Sequence, residues 1–314
     1  MKIGIIGAGG VGGYYGGRLA QAGSEVGIVA RGEHLAAIRE RGLRVRSPDE
    51  DFTVPVPASE DPADIGACDA VLFCVKSYDT ESAAAMLDPL LGPETPVVSL
   101  QNGVDNEEKI AARVGAEHVL GGASFILSSV AEPGVVEKAG TLARVVFGEL
   151  DGSRSERSER LLAEFREARI ESEVTDDIRR VLWDKYAFLC ALAGLTAATR
   201  LPIDELLAVT ETRELFRQMV REAALVARAE GVDLGADVVD EKTAFAQTLE
   251  PGGFSSLHHD LVTGRRLELD ALHGELVRRA SRHNLRVPIT TVVYALLRPW
   301  QLAHMEASAS PARS

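Results

Sequence analysis

Residues 2–12, KIGIIGAGGVG, decide the fold of this chain. The first half of the stretch is an apolar, β-branched run that predicts a strand, and the second half places Gly7, Gly9 and Gly12 at the spacing G-x-G-x-x-G. Apolar residues at helix spacing follow until Gly23. A strand, a glycine turn and a helix in this order predict a dinucleotide-binding unit, in which a pyrophosphate approaches the backbone at the helix N-terminus. A glycine turn without a ligand is the alternative. The backbone predicted to hold the cofactor is that of Gly7, Ala8, Gly9, Gly10, Val11 and Gly12.

The end of the second predicted strand, residues 25–30, bears on the choice between NAD and NADP. Enzymes selective for NAD usually place Asp or Glu at this point to bind the ribose 2′-hydroxyl. This chain instead has Ala30 followed by Arg31. Because a guanidinium suits a 2′-phosphate, we predict NADPH as the cofactor and Arg31 as its contact. Two alternatives remain: Arg31 is a solvated side chain at the start of a helix, or Glu33 supports NAD.

Strands and helices continue to alternate, which predicts a right-handed doubly wound α/β sheet of the Rossmann type. Residues 69–75 and 96–100 are apolar runs typical of strands buried on both faces. Lys76 and Asn102 directly follow these two strands. Since the carboxyl ends of parallel strands meet at one edge, both side chains are predicted to line the same crevice as the glycine turn. The alternatives are a solvated lysine and an asparagine chosen for its turn conformation.

Beyond residue 175 the apolar residues recur almost entirely at helix spacing. We therefore predict three parts: a nucleotide-binding domain over residues 1–174, an all-α domain over 175–306 and a disordered tail over 307–314. The predicted helices of the second part include residues 177–199, 206–229 and 257–282.

Three charged residues interrupt the apolar pattern of the helical part. Lys185 follows Asp184 inside an otherwise apolar helix, and Glu268 lies on the apolar stripe of predicted helix 257–282. A buried carboxylate requires a partner. We expect Lys185 at the cleft between the two domains as a proton donor, with Glu268 beside it or beside a substrate hydroxyl. The alternatives are a snorkelling lysine and a salt bridge between Glu268 and Arg265.

Charge and composition exclude several classes of function. The chain has 314 residues and a formal charge of −13, which disfavours nucleic acid and anionic membranes as partners. Cys68, Cys74 and Cys190 show neither metal-ligand nor disulfide spacing, and the sequence predicts no metal site. No signal peptide and no apolar stretch of bilayer length is visible, so we expect a cytoplasmic protein. The long apolar helices are compatible with a homodimer.

Taken together, these features resemble the ketopantoate reductases (2-dehydropantoate 2-reductases), which are NADPH-dependent enzymes. The resemblance implies that Arg31 contacts the 2′-phosphate and that the helical domain is similar to that of 6-phosphogluconate dehydrogenase. It covers nearly the whole chain and is carried by GAGGVGGYYGGRLA (residues 7–20), VARGEHL (29–35), CVKSYDT (74–80), QNGVDNEEKI (101–110), LWDKYAF (182–188), FSSLHHD (254–260) and RRLELDALHGELVRRA (265–280).

The same resemblance assigns roles to residues around the reacting ketone. It implies that Lys76 and Asn102 lie near the nicotinamide and the substrate. Lys185 matches the general acid of the family, while Ser256 and Glu268 match its substrate-binding serine and glutamate.

One departure from the family affects the substrate. Members with established activity often carry asparagines one and two turns after the catalytic lysine, where this chain has Leu189 and Ala193. The favoured hypothesis is reduction of 2-dehydropantoate to (R)-pantoate, a step of pantothenate biosynthesis. The alternatives are reduction of a more apolar 2-oxo acid and an NADP-binding redox sensor without turnover.

Overall fold

The computed structural model describes residues 1–309, which form two compact units. The first unit comprises Met1–Gln101 and Asp105–Val181, and the second comprises Asn102–Val104 and the chain from Leu182 onward. The strands are β1 (Lys2–Ile6), β2 (Glu25–Val29), β3 (Leu43–Arg46), β4 (Asp51–Val54), β5 (Ala58–Ser59), β6 (Ala70–Phe73), β7 (Val97–Ser99), β8 (Val119–Glu132), β9 (Val135–Glu149) and β10 (Glu171–Val174). The helices are α1 (Gly10–Gln21), α2 (Gly32–Arg41), α3 (Thr80–Ala84), α4 (Asn106–Val114), α5 (Glu156–Glu167), α6 (Ile178–Thr199), α7 (Ile203–Ala208), α8 (Thr210–Ala229), α9 (Val238–Gln247), α10 (Ser256–Val262), α11 (Glu275–Arg282) and α12 (Pro288–Ala309).

The first unit is built on a ten-stranded sheet in the order β4-β3-β9-β8-β7-β6-β1-β2-β5, with β10 added to β9. Strands β8, β7, β6, β1, β2 and β5 are parallel throughout, as the prediction of a Rossmann-type domain requires. The register aligns Ile5 of β1 with Ile28 of β2 and with Leu72 of β6. The carboxyl ends of these strands therefore lie side by side.

Burial on both faces explains why the central strands are continuously apolar. Ile5 and Leu72 belong to the hydrophobic core on one face of the sheet. Their neighbours Ile6 and Phe73 belong to a separate core on the other face. Since successive side chains of a strand point to opposite faces, both must be apolar when both faces are covered.

Two predictions for the first unit need correction. The sequence pattern predicts one amphipathic helix over residues 79–91, but α3 ends at Ala84, with 3₁₀ turns before and after it. The sequence also predicts two separate strands, residues 135–138 and 144–149, but these residues form the single strand β9. It pairs with β8 in an antiparallel hairpin whose register shifts between Ile126 and Leu127.

The second unit is helical, and its core contains α6. This helix is long and apolar enough to span a membrane by length and composition, but 72% of its most apolar window is buried within the protein. Core helices of soluble proteins have the same properties. Its buried residues pack with those of α7, α8, α10 and α11 in one hydrophobic cluster.

The predicted helices of this unit are interrupted at two points. Predicted helix 206–229 is divided at Val209, whose backbone is extended, into α7 and α8. Predicted helix 257–282 is also wrong, because α10 ends at Val262 and Gly264 follows with a φ of +70°. A glycine in this conformation ends helices without steric strain, so Gly264 was a termination signal in the sequence. The chain becomes helical again at Leu269, through a π-helical turn (Asp270–Gly274) into α11.

The ends of the two units differ from the predicted domain ranges. The division falls after Val181, within the first turns of α6. Helix α12 continues to Ala309, past the predicted start of a tail at residue 307, and the rest of that predicted tail lies outside the described residues. The assignment of functional domains to 1–174 and 175–306 stays a prediction.

Candidate active site

The glycine turn after β1 leaves open space where a ligand can approach. Gly7 has a φ of +94°, which favours glycine, and a Cβ at Gly12 would lie 2.1 Å from the carbonyl oxygen of Gly7. A Cβ at Gly9, in contrast, would have no atom within 4 Å. Gly7 and Gly12 are therefore glycines for the turn and for packing, while Gly9 opens the backbone to its surroundings. This division of roles matches the predicted motif.

The N-terminus of α1 suits an anion. Its first turn contains no acidic residue, and no side chain within residues 1–309 caps it. The N–H groups of a first helical turn and the positive end of the helix dipole favour a phosphate. The residues at this turn thus fit the pyrophosphate of a dinucleotide.

Gly10 has a second role that the sequence did not reveal. A Cβ at this position would lie 2.3 Å from the carbonyl oxygen of Ser128 in β8. At Gly13 a Cβ would lie 2.5 Å from Val136 of β9. These two glycines allow the β8–β9 hairpin to pack against α1, and only the tertiary structure identifies that requirement.

A cavity of about 240 Å³ lies beside the glycine turn. Arg31 lies at the end of β2, where the sequence analysis expected it, and 63% of its side chain is exposed. The Asp79 carboxylate lies 3.7 Å from the Arg31 guanidinium and was not anticipated. Arg31 therefore faces both the cavity and a carboxylate. The residues that line the cavity are Ile6, Gly7, Ala8, Gly9, Val29, Ala30, Arg31, His34, Val75, Ala83, Met86 and Val130.

His34 is a further polar residue of the cavity wall that the sequence analysis missed. Its Nδ1 accepts a hydrogen bond from the Gly134 amide at 3.0 Å, so the neutral ring carries its proton on Nε2. Burial lowers the pKa of His34, and an interaction with the Ala8 backbone offsets part of this shift. Nε2 is buried and makes no well-formed hydrogen bond within the described part of the chain. A donor in this position fits an oxygen-rich ligand.

The ends of β6 and β7 are joined by buried polar side chains. Gln101 Nε2 donates to the Val75 carbonyl at 2.9 Å and to Thr80 Oγ1 at 2.8 Å. Thr80 in turn contacts Asn106 Oδ1 at 3.2 Å. Lys76, the predicted residue at the end of β6, is half-buried next to this network.

Glu107 lies in the first turn of α4 and is buried. Burial, with the Asp105 charge adding to it, raises the pKa of Glu107 to about 7. This titratable group close to the β7 end was not foreseen, because a glutamate at a helix start is usually exposed.

Asn102 follows β7 but groups with the second unit. Gly103 has a φ of +123°, and Val104 lies in the hydrophobic core of that unit. The carbonyl of Val104 accepts a hydrogen bond from Arg279 at 3.2 Å. The half-buried Asn102 is therefore carried by a segment that is fastened at Val104.

Lys185 and Glu268 belong to two segments of the second unit that pack against each other. Tyr186, next to Lys185 in α6, donates a hydrogen bond to the Leu272 carbonyl. The Leu272 amide donates to the Glu268 carbonyl at 3.1 Å. His273 Nε2 lies 2.9 Å from the Cys190 carbonyl oxygen, which adds a second polar contact between the same two segments. Lys185 is half-buried, and Glu268 is only 7% exposed, as expected for a carboxylate on the inner side of a helical unit.

The position of Glu268 has a different origin from the predicted one. It lies in the non-helical segment before Leu269 and not on the apolar stripe of a helix from 257 to 282. The predicted burial of Glu268 was therefore right, but the predicted helix that explained it was wrong.

Ser256 begins α10 and is exposed, whereas Ser255 is buried. The Ser255 hydroxyl caps the helix by accepting from the His258 amide at 3.1 Å, and it lies 2.8 Å from Thr196 Oγ1. Ser255 is thus occupied structurally, and Ser256 remains the serine that a ligand can reach.

The two positions that depart from the family are apolar in their surroundings as well. Leu189 packs partly buried against the core of the second unit, and Ala193 is buried within it.

Among the residues that the structure describes, no group of three or more His, Cys, Asp or Glu side chains is arranged to hold a metal ion.

Comparison with protein families gives two matches that together span most of the chain. The model "Ketopantoate reductase PanE/ApbA" matches residues 3–152, and "Ketopantoate reductase PanE/ApbA C terminal" matches residues 177–301. The chain belongs to the ketopantoate reductase family. It is therefore an oxidoreductase of the kind that acts on CH–OH groups with a nicotinamide cofactor.

Relatives and solved structures agree with this membership. A 2-dehydropantoate 2-reductase of Halobacterium salinarum is 33% identical, covering 95% of this chain and 98% of the relative. An uncharacterized oxidoreductase of Bacillus subtilis, YkpB, is 30% identical over 96% of this chain and 99% of its own length. The crystal structure of a ketopantoate reductase from Ralstonia eutropha JMP134 has 38% identity and a TM-score of 0.89, covering 97% of this chain and 100% of that one.

The same fold occurs in a protein that acts on another substrate. A ternary structure of D-mandelate dehydrogenase with NADH and anilino(oxo)acetate superposes with a TM-score of 0.89 over 97% of this chain and 99% of that chain. The identity of 23% makes this a likeness of fold alone.

Proposed function

We propose that this ketopantoate reductase family member uses NADPH to reduce a 2-oxo acid to a 2-hydroxy acid, with 2-dehydropantoate as the favoured substrate. The observation that carries the proposal is the packing of the Lys185 helix turn against the segment that begins with buried Glu268. An ammonium and a carboxylate held on contacting segments supply a proton donor and a hydrogen-bond acceptor for a ketone with hydroxyl groups.

Each candidate residue receives one task in this reaction. The bound nicotinamide supplies the hydride that reduces the ketone carbon. Lys185 donates a proton to the ketone oxygen as negative charge develops there, and Glu268 accepts a hydrogen bond from a distal hydroxyl. Asn102 and Ser256 orient the carboxylate, while Lys76 lies near the cofactor.

NADPH is favoured over NADH by the end of β2. Arg31 presents a guanidinium there without a carboxylate in the position that usually binds a ribose 2′-hydroxyl. Asp79, 3.7 Å from that guanidinium, reduces the net positive charge available to a 2′-phosphate. We therefore expect a preference for NADPH that is weaker than an unopposed arginine would give.

The apolar pair Leu189 and Ala193 supports a competing substrate. Replacing amide groups by apolar side chains in a polar site lowers affinity for a hydroxylated acid by about 1–3 kcal/mol per lost partner.

The two candidate substrates are distinguished by measuring kcat/KM for 2-dehydropantoate and for branched 2-oxo acids without a hydroxyl, with NADPH oxidation as the readout. Higher efficiency with the branched acids would replace 2-dehydropantoate in the proposal. Tight NADPH binding without turnover of any 2-oxo acid would favour the redox sensor.

The role of Lys185 is tested by Lys185→Ala. Loss of the general acid is expected to lower kcat by about 10²–10⁴-fold, while the Kd for NADPH changes little. Lys242→Ala is the matched control, since Lys242 is another partly buried lysine of the same unit and pairs with Asp184. Normal turnover by Lys185→Ala would remove this residue from the mechanism.

We also propose that the protein is a cytoplasmic homodimer. Three large exposed apolar side chains lie one helical turn apart on α12, at Val292, Leu296 and Trp300. An exposed apolar row on a long helix is typical of a surface that packs against a second copy of the same chain. Sedimentation velocity over a range of concentrations tests the dimer, and a monomer at every concentration would contradict it.

A further inference from the structure

Arg279 in α11 joins several elements of the second unit through one guanidinium. Its side chain is only 3% exposed. Nη2 donates to the Val104 carbonyl at 3.2 Å, Nε donates to Glu275 at 2.9 Å, and Nη1 donates to Glu230 at 2.5 Å. The rigid, planar fork of an arginine allows these three bonds in fixed directions, which a lysine cannot reproduce.

The two carboxylates hold this cation in place. Glu275 is buried, and Glu230 also contacts His283 Nε2 at 2.7 Å. Although burial opposes the shift, the His283 hydrogen bond and Arg279 hold the pKa of Glu230 below its usual value. Glu230 is therefore ionised at neutral pH and fixes the guanidinium that reaches Val104.

The bond to Val104 fastens the segment that carries Asn102. Gly103 separates the two residues and has a φ of +123°, so the chain turns sharply between them. A carbonyl anchored at Val104 limits the positions that the Asn102 side chain can adopt.

The same guanidinium also faces the helix turn that carries Lys185. It lies 5.9 Å from the ring centroid of Trp183, within the range of a cation–π contact. Trp183 is two residues before Lys185 in α6. One buried cation thus contacts both the Asn102 segment and the α6 turn.

We propose that Arg279 is a positioning residue that sets Asn102 relative to Lys185. The proposal rests on the proposed function, because it takes Asn102 as a substrate contact and Lys185 as the proton donor. A small displacement of a group that orients the substrate lowers turnover strongly, by up to about 100-fold for 1 Å. Arg279 would therefore affect catalysis although it does not itself touch the substrate.

The first test compares Arg279→Lys with Arg278→Lys. Arg278 is the neighbouring residue, also bonds Glu275 and is 47% exposed, so it is a matched control. For Arg279→Lys we expect kcat/KM for the 2-oxo acid to fall about 10- to 100-fold, with the Kd for NADPH within about twofold of wild type. The kcat/KM of Arg278→Lys should stay within about threefold of the wild-type value. Unchanged kinetics of Arg279→Lys, or an equal loss of NADPH binding, would overturn the proposal.

A double-mutant cycle with Asn102→Ala separates this proposal from the proposed function. If Arg279 acts through Asn102, the double variant should be scarcely less active than the worse single variant, because coupled residues are not additive. Independent, multiplicative losses would refute the positioning role while leaving the role of Asn102 intact. An Asn102→Ala variant with wild-type kinetics would instead refute the proposed role of Asn102.

Hydrogen exchange gives a readout that does not require activity. In Arg279→Lys we expect faster exchange in peptides that cover residues 102–106 and unchanged exchange in the glycine turn at residues 5–15. Glu230→Gln weakens the ion pair with Arg279 but keeps the arginine, so it should speed exchange in the same peptides to a smaller extent. This variant replaces Arg279→Lys in the experiment if Arg279→Lys does not fold. Wild-type exchange at residues 102–106 in the folded variant would overturn the proposal.

Discussion

Replacing Glu107 by glutamine should change how the stability of the protein depends on pH. Burial, with the Asp105 charge, raises the pKa of Glu107 from 4.5 to about 7 in the folded chain. The folded state therefore holds this proton more tightly than the unfolded state does. The resulting stabilisation is fully present below pH 4.5 and is lost as the pH rises through 7.

The two pKa values give the magnitude. Between pH 5 and pH 8, ionisation of Glu107 should lower the free energy of unfolding of the wild-type protein by about 2.5 kcal/mol. Glu107→Gln has no carboxyl at this position and should not show this loss. Urea unfolding at both values of pH, followed by circular dichroism and tryptophan fluorescence, measures the difference. The free energy of unfolding of Glu107→Gln, relative to that of wild type, should therefore rise by about 2–3 kcal/mol from pH 5 to pH 8.

Glu108→Gln is the matched control, because Glu108 is the next residue of the same helix and is exposed. Because Glu108→Gln retains the Glu107 carboxyl, its free energy of unfolding should fall by about 2.5 kcal/mol between pH 5 and pH 8, as in wild type. A difference between Glu107→Gln and wild type that is equal at both values of pH would refute the reasoning. It would mean that the Glu107 carboxyl has similar pKa values in the folded and unfolded chain.

Other predictions concern the cofactor. Arg31→Ala should weaken NADPH binding about 10- to 100-fold and NADH binding less than about threefold, measured by fluorescence titration; equal losses would contradict the assigned 2′-phosphate contact. Gly9→Ala and Gly12→Ala form a contrasting pair. The first adds a Cβ in open space and should reduce NADPH affinity without changing thermal stability, whereas the second adds a Cβ 2.1 Å from the Gly7 carbonyl oxygen and should lower stability by about 1–3 kcal/mol. A stable Gly12→Ala variant in thermal unfolding would show that this contact is relieved by small shifts.

Several features followed directly from local sequence patterns. The strand and turn at residues 2–12, the parallel central strands and the position of Arg31 depend on spacing and strand order, which the sequence contains. Membership of the ketopantoate reductase family followed from motifs distributed over the whole chain. The break at Gly264 was also encoded locally, but the prediction followed the apolar periodicity on both sides of this glycine.

The sequence by itself determined the strand, glycine turn and helix at the N-terminus, the division into a sheet-based and a helical part, and the charged residues that interrupt apolar segments. Only the tertiary structure decided which residues depend on partners far away in the chain. Position 10 must be glycine because the Ser128 carbonyl packs against it, and Asp79 lies beside Arg31. Arg279 donates a hydrogen bond to the Val104 carbonyl, 175 positions away in the chain. The physical reason is that helix and strand periodicity act over a few residues, whereas these contacts arise only when packing brings separate segments within a few ångströms.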